Sequence, residues 1–122
     1  MSDTETLVRS YLSAVAARDF DLARTFLTDR EFSYTSPIGS IEDADLFIQN
    51  ISAAGPILER LDIRKCMVSS TEAVVILDVK TTMFGYVTRP VAMLFYIGEG
   101  CIKSIEAIFD ASEYNKMFTG DS

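Results

Sequence analysis

The chain has 122 residues, enough for one hydrophobic core and too few for two. It carries a formal net charge of −7 and no histidine. An acidic chain without a basic stripe is repelled by a phosphate backbone, which argues against nucleic acid as a partner. Without histidine, any proton transfer falls to carboxylate, hydroxyl, phenol, thiol or lysine.

No apolar run approaches the length needed to cross a bilayer, so no membrane partner is expected. Met1 to Glu5 is polar and acidic, unlike the basic-then-apolar start of a secretory leader, and a cytoplasmic protein is expected. Cys66 and Cys101 stand far apart and in no metal-ligand spacing. They read as two reduced thiols packed as small apolar groups, with no metal and no cofactor expected.

In chain order, Ser2 to Glu5 fits a capping box. Leu7, Val8, Tyr11, Leu12, Val15 and Ala16 then recur at helical spacing, with Arg9, Ser10, Ser13 and Arg18 on the other side. Asp19 caps a second, shorter helix that buries Leu22, Ala23, Phe26 and Leu27. Glu31 to Ser36 alternates with period two, placing Phe32, Tyr34 and Ser36 on one face of a short strand that Pro37-Ile38-Gly39 ends. Ser40, with Asp43 three residues on, starts a third helix whose apolar face is Ala44, Phe47, Ile48 and Ile51. Gly55-Pro56 closes it.

From Ile57 the period becomes two and stays so. Ile57 to Val68 is one strand and Glu72 to Phe84 the next, with Val75, Leu77 and Val79 on one face and Val74, Ile76 and Asp78 on the other. Val87 to Phe109 is a hairpin: two β-branched and aromatic runs around Gly98-Glu99-Gly100. Asp110, with Glu113 three on, signals a short C-terminal helix. The whole of residues 1–122 reads as a single α+β domain, with three N-terminal helices on the concave face of a strongly bent, mainly antiparallel sheet. Met93, Phe95 and Ile97 are expected on the outer face, where an exposed patch predicts a homodimer.

This order resembles the nuclear transport factor 2-like superfamily, the cone-shaped fold of SnoaL-like cyclases and ketosteroid isomerases. Five pieces carry the resemblance: Val8-x-x-Tyr11, Arg18-Asp19-Phe20-Asp21, Ser36-Pro37-Ile38-Gly39, Gly98-Glu99-Gly100, and Ser104 through Phe109. The resemblance implies a pocket between the concave face and the helices, and dimers through the outer face. It also implies roles to test. In ketosteroid isomerases an aspartate moves the proton, while a tyrosine and a protonated aspartic acid stabilise the oxyanion. The tyrosine matches Tyr11, but the base falls on Ser36 and the second acid, placed by running back from the hairpin without a gap, on Ala92. Serine with no histidine beside it is a poor proton acceptor, and alanine donates no hydrogen bond. SnoaL-like cyclases typically use histidine with aspartate, and this chain has no histidine.

The candidate catalytic residues are therefore Tyr11, Tyr34, Ser36 and Glu106. Each also has a structural reading: Tyr11 and Tyr34 as core phenols, Ser36 as a turn residue. If Ala92, Ile105, Ala107 and Phe109 face the cone, Glu106 and Asp78 face outward. If the parity is off by one, Glu106 enters the cavity as the best base in the chain. The expected ligand-binding wall is Tyr11, Val15, Tyr34, Ser36, Phe47, Ile51, Val75, Leu77, Val79, Ala92, Leu94, Ile105, Ala107 and Phe109. Such a wall suits a small apolar molecule with one or two oxygens. Three functions are open: a small-molecule-binding protein; an isomerase, dehydratase or cyclase acting on a small apolar carbonyl compound; or a dimeric interaction module with a filled cone.

Overall fold

A computed structural model describes residues 3–81 and 88–109 of the protein. Helix α1 (Asp3–Ala16) and helix α2 (Phe20–Thr25) lead into strand β1 (Ser33–Ser36) and strand β2 (Gly39–Ile41). Helix α3 (Ala44–Ala53) and a single 3-10 turn (Gly55–Ile57) follow. Strands β3 (Leu58–Val68), β4 (Glu72–Thr81), β5 (Thr88–Gly98) and β6 (Cys101–Ile108) complete the described chain. The six strands form one sheet in the order β2-β1-β6-β5-β4-β3. This is an α+β architecture, as the helices-then-strands order predicts.

The helix starts follow from their caps. The Asp19 carboxylate accepts from the Leu22 N–H at 3.2 Å, and the Asp43 carboxylate accepts from the Leu46 N–H at 2.9 Å. Ser40, expected to open α3, lies instead in β2, so the helix begins three residues later. The sheet has one more strand than the sequence predicts. Ser36 and Gly39 are paired across a tight turn, with Gly39 at φ 145°. Only glycine tolerates that conformation readily, and it turns a presumed loop into a hairpin. The sheet is also mixed: β1 runs parallel to β6, setting Tyr34 beside Ile105. The C-terminal helix, with Asp110 and Glu113, lies outside the described residues, as do Ser2 and residues 82–87.

The helices cover one face of the sheet. Val8, Tyr11 and Leu12 of α1 and Phe47 of α3 are buried with Val75, Leu77, Phe95, Ile102 and Ile105. The Tyr11 and Phe95 rings meet edge to face at 6.0 Å. Each fully buried side chain of this size stabilises the fold by about 1.5–3 kcal/mol.

One irregularity decides which way β5 faces. Gly98 pairs with Cys101 and Ile97 with Ile102, but Tyr96 pairs with Ser104. Lys103 is skipped, so two residues of β6 oppose one of β5 in a β-bulge. A hairpin ladder run without that bulge sets Ala92 against Ala107 and Leu94 against Ile105. With it, Met93 pairs with Ala107 and Phe95 with Ile105. A one-residue slip exchanges the faces of a strand. The expectation for β5 is therefore corrected: Met93 and Phe95 face the helices, and Ala92 and Leu94 face outward. Ile97 is likewise packed against the core beneath α1.

Among the described residues, strand β3 is the long edge of the sheet. Glu59, Arg60, Asp62, Arg64 and Lys65 are all exposed along it. Charges on an edge strand deter another chain from extending the ladder.

Candidate functional site

Between the helices and the concave face lies a chamber of about 210 Å³. Tyr11, Leu12 and Val15 of α1 line one side. Tyr34 of β1 with Phe47 and Ile51 of α3 line a second. Ala54 and Leu58 close the corner, and Leu61, Val79 and Met93 form the floor from β3, β4 and β5. Leu61 and Val79 are cross-strand partners, which fixes them on the same face.

Arg18 pins this corner. Its backbone takes a left-handed turn at φ 59°, and its guanidinium donates to the Gly55 carbonyl at 3.0 Å and to the Leu58 carbonyl. Gly55 packs closely on α2: a Cβ there would sit 3.2 Å from the Phe20 ring, which would have to shift by a few tenths of an ångström. The helix-to-strand junction at Ala54–Leu58 thus rests against α2.

The chamber's polarity rests on two phenols. Burial pushes the Tyr11 hydroxyl far above the ordinary tyrosine range, and the neighbouring Tyr34 raises it further. Burial raises Tyr34 as well, and a side-chain hydrogen bond with Ser36 partly offsets this. Both are therefore neutral donors at physiological pH. Tyr34 stacks on Phe47 with ring centroids 4.6 Å apart, and Phe47 in turn leans on Phe32 at 5.3 Å. Among the described residues, no charged side chain lines the chamber. Among them, too, no group of three or more Cys, Asp or Glu is arranged to hold a metal ion.

The structure divides the predicted wall into four groups. Tyr11, Val15, Tyr34, Phe47, Ile51 and Val79 line the chamber. Ser36 lines an adjoining hollow of about 400 Å³, where its Oγ donates to the Gly39 carbonyl and accepts from the Ile38 N–H, both at 3.3 Å. Val75, Leu77, Ile105 and Ala107 share the concave face but are buried in the core and do not reach the chamber. Ala92 and Leu94 are on the opposite side of the sheet, for the reason the Lys103 bulge gives, and Phe109 is half-buried just past β6 and off the wall.

Glu106 pairs with Leu94 on β5 and Thr35 on β1, and it is exposed on the outer face. Asp78 is on the same outer face, 3.6 Å from Arg64. Neither carboxylate enters the chamber. Sequence reasoning missed Leu12, Ala54, Leu58, Leu61 and Met93. Leu61 was available from the period-two pattern of β3 opposite Val79. Met93 required the bulge, and Ala54 and Leu58 required the corner geometry.

No protein-family model matches the sequence, nor does any curated protein. Solved structures do. An NTF2-like protein of unknown function from Cytophaga hutchinsonii superposes with a TM-score of 0.81 at 20% identity, covering 91% of this chain and 93% of that one. A Mycobacterium tuberculosis LEH-like epoxide hydrolase gives 0.79 at 17% identity, over 97% and 88%. A protein from Catenulispora acidiphila with a ketosteroid isomerase-like fold, in complex with trimethylamine, gives 0.76 at 14% identity, over 87% and 86%. The chain has the nuclear transport factor 2-like fold. Identities this low establish the architecture and leave the chemistry to the site.

Proposed function

We propose that the protein binds a small, uncharged, largely apolar molecule in the chamber, oriented by the Tyr11 and Tyr34 hydroxyls. The observation that carries this reading is the wall: nine apolar side chains and two neutral phenols around about 210 Å³, with no carboxylate among the described residues. An apolar cavity of about 150 Å³ accommodates benzene, so this chamber suits a single ring with a few further atoms. A phenol held neutral donates to a carbonyl or ether oxygen, a contact worth about 0.5–1.5 kcal/mol.

The catalytic alternative is an isomerase, dehydratase or cyclase on a small carbonyl compound. It requires a group that accepts a proton near neutral pH. The hydration that an epoxide hydrolase performs has the same requirement. Two phenols whose protons are held more tightly than usual do not meet it.

Acetophenone titrated by NMR is the test. It should bind the wild type, bind Tyr11→Phe about 2–10-fold more weakly, and fail to bind Val79→Phe, in which the chamber is filled. Binding unchanged by Val79→Phe would place the ligand elsewhere and overturn the proposal.

A second observation favours self-association through the outer face. Met67, Tyr96 and Ile108 are 53%, 39% and 51% exposed there, next to half-buried Val74, Ile76 and Leu94. Lys65 flanks this patch on β3 and Glu106 flanks it on β6. A copy related by a two-fold axis along the strands lays β3 of each chain over β6 of the other, with Lys65 in the row of Ile108 and Met67 in the row of Glu106. We propose a homodimer with that symmetry.

A further inference from the structure

The chamber and the adjoining hollow share a wall. Tyr34, Phe47, Ile51 and Ala54 line both. The inner space is apolar except for its phenols. The outer one adds Ser36, Ser40 and Asn50. Between them stands the Tyr34 ring, held by Phe47 on one side and by Ser36 at its hydroxyl.

We infer that the two spaces are halves of one site, and that its ligand is an uncharged amphiphile. A compact apolar body occupies the chamber. A neutral polar end, such as an amide or alcohol, reaches past Tyr34 to Ser36, Ser40 and Asn50. This rests on the binding function proposed above and names the class of molecule bound.

Three physical points carry the inference. First, no charged side chain among the described residues lines either space. An ionised ligand would leave water without a countercharge, which is costly. Secondly, the hollow keeps hydrogen-bonding capacity. Besides its contact with the Tyr34 hydroxyl, Ser36 Oγ makes two backbone bonds that are long, at 3.3 Å, and are readily exchanged for better ones. Asn50 ties Nδ2 to the Leu46 carbonyl at 2.9 Å, so it offers chiefly its amide oxygen, an acceptor. Donor and acceptor thus stand in the same hollow, matching a group that both gives and takes a hydrogen bond. Thirdly, Tyr34 offers one hydroxyl at the boundary, where the apolar body joins the polar end. The division of labour is therefore between shape inside and hydrogen bonding outside.

Three probes with one phenyl ring separate the possibilities: propylbenzene, 3-phenylpropanamide and 3-phenylpropanoate, each titrated by NMR at neutral pH. The amide should bind about tenfold more tightly than propylbenzene, the gain of one or two neutral hydrogen bonds. The carboxylate should bind more weakly than either. In the double variant Ser36→Ala/Asn50→Leu, the advantage of the amide over propylbenzene should fall to about twofold or less. Asn50 is exposed and Ser36 half-buried at a turn, and a retained far-ultraviolet circular dichroism spectrum checks the fold. Propylbenzene binding as tightly as the amide would overturn the two-part site while leaving the chamber reading intact. Tightest binding by the carboxylate would overturn the claim of neutrality. Failure of all three to bind would sink both this inference and the function beneath it.

Discussion

The two faces of the sheet carry similar residues and use them differently. On the concave side Val75, Leu77 and Phe95 are wholly buried, and the partly covered Val79 and Met93 border a chamber with no charge among its described lining residues. On the outer side Ile76, Leu94, Tyr96 and Ile108 are half-buried or exposed, with Asp78, Lys65 and Glu106 among them. The alternating strands β4 and β5 supply both sets, one residue apart. The same hydrophobic content makes a core where helices cover it and an exposed apolar surface where no described residue does.

Neighbouring residues of β5 offer the sharpest way to break this contrast. Phe95→Ala should cost about 3–5 kcal/mol, because it opens a cavity under α1. Leu94→Ala, one position away, should cost the isolated subunit about 1 kcal/mol or less. Urea denaturation at low protein concentration measures both. Equal costs would mean that the face assignment built on the Lys103 bulge is wrong.

The outer face is tested next. Tyr96→Lys combined with Ile108→Lys places four like charges across a two-fold interface. Sedimentation velocity should show a dimeric wild type and a monomeric variant with the same circular dichroism spectrum. A variant that stays dimeric, or a wild type that is already monomeric, removes the proposed interface.

The smallest effect belongs to the chamber. Tyr11 is held protonated in the folded chain beyond the pH at which an exposed tyrosine ionises. Its raised folded-state value means that stability is complete below about pH 10, where both states keep the proton. Above that, the unfolded chain loses a proton that the folded chain retains, so stability falls as pH rises. The slope is about 1.4 kcal/mol per pH unit for each proton retained. Tyr11→Phe should flatten the decline between pH 10 and 11 by about that amount, read from denaturation midpoints at each pH. No change in slope would place the Tyr11 hydroxyl in water.

Much of this was readable in advance. The heptad-like stripe of α1 placed Tyr11 and Val15 together, and alternation in β4 placed Val79 on the face with Val75 and Leu77 and set Asp78 opposite. In β1, Tyr34 and Ser36 fall on one side by simple parity. The absence of histidine was plain from the sequence, whereas the match of Ala92 to an isomerase acid assumed an unbroken hairpin ladder, which the skipped Lys103 overturns. What failed was Ala92 and Leu94, and with them the expected outer-face set of Met93, Phe95 and Ile97. No local signal marks Lys103 as an extra residue in its strand. Its skipped position is visible only against the partner strand.

Residue type and spacing by themselves determined the α+β class, the existence of α1, α2 and α3, and the long strands β3 to β6, because periodicity and side-chain chemistry are local properties. Tertiary structure alone decided which alternating set on β5 turned inward, that β1 joined β6 in parallel, and that Ala54 and Leu58 closed the chamber. Those outcomes depend on registration between distant segments, where a single unpaired residue reverses a face and leaves no trace in the strand's own sequence.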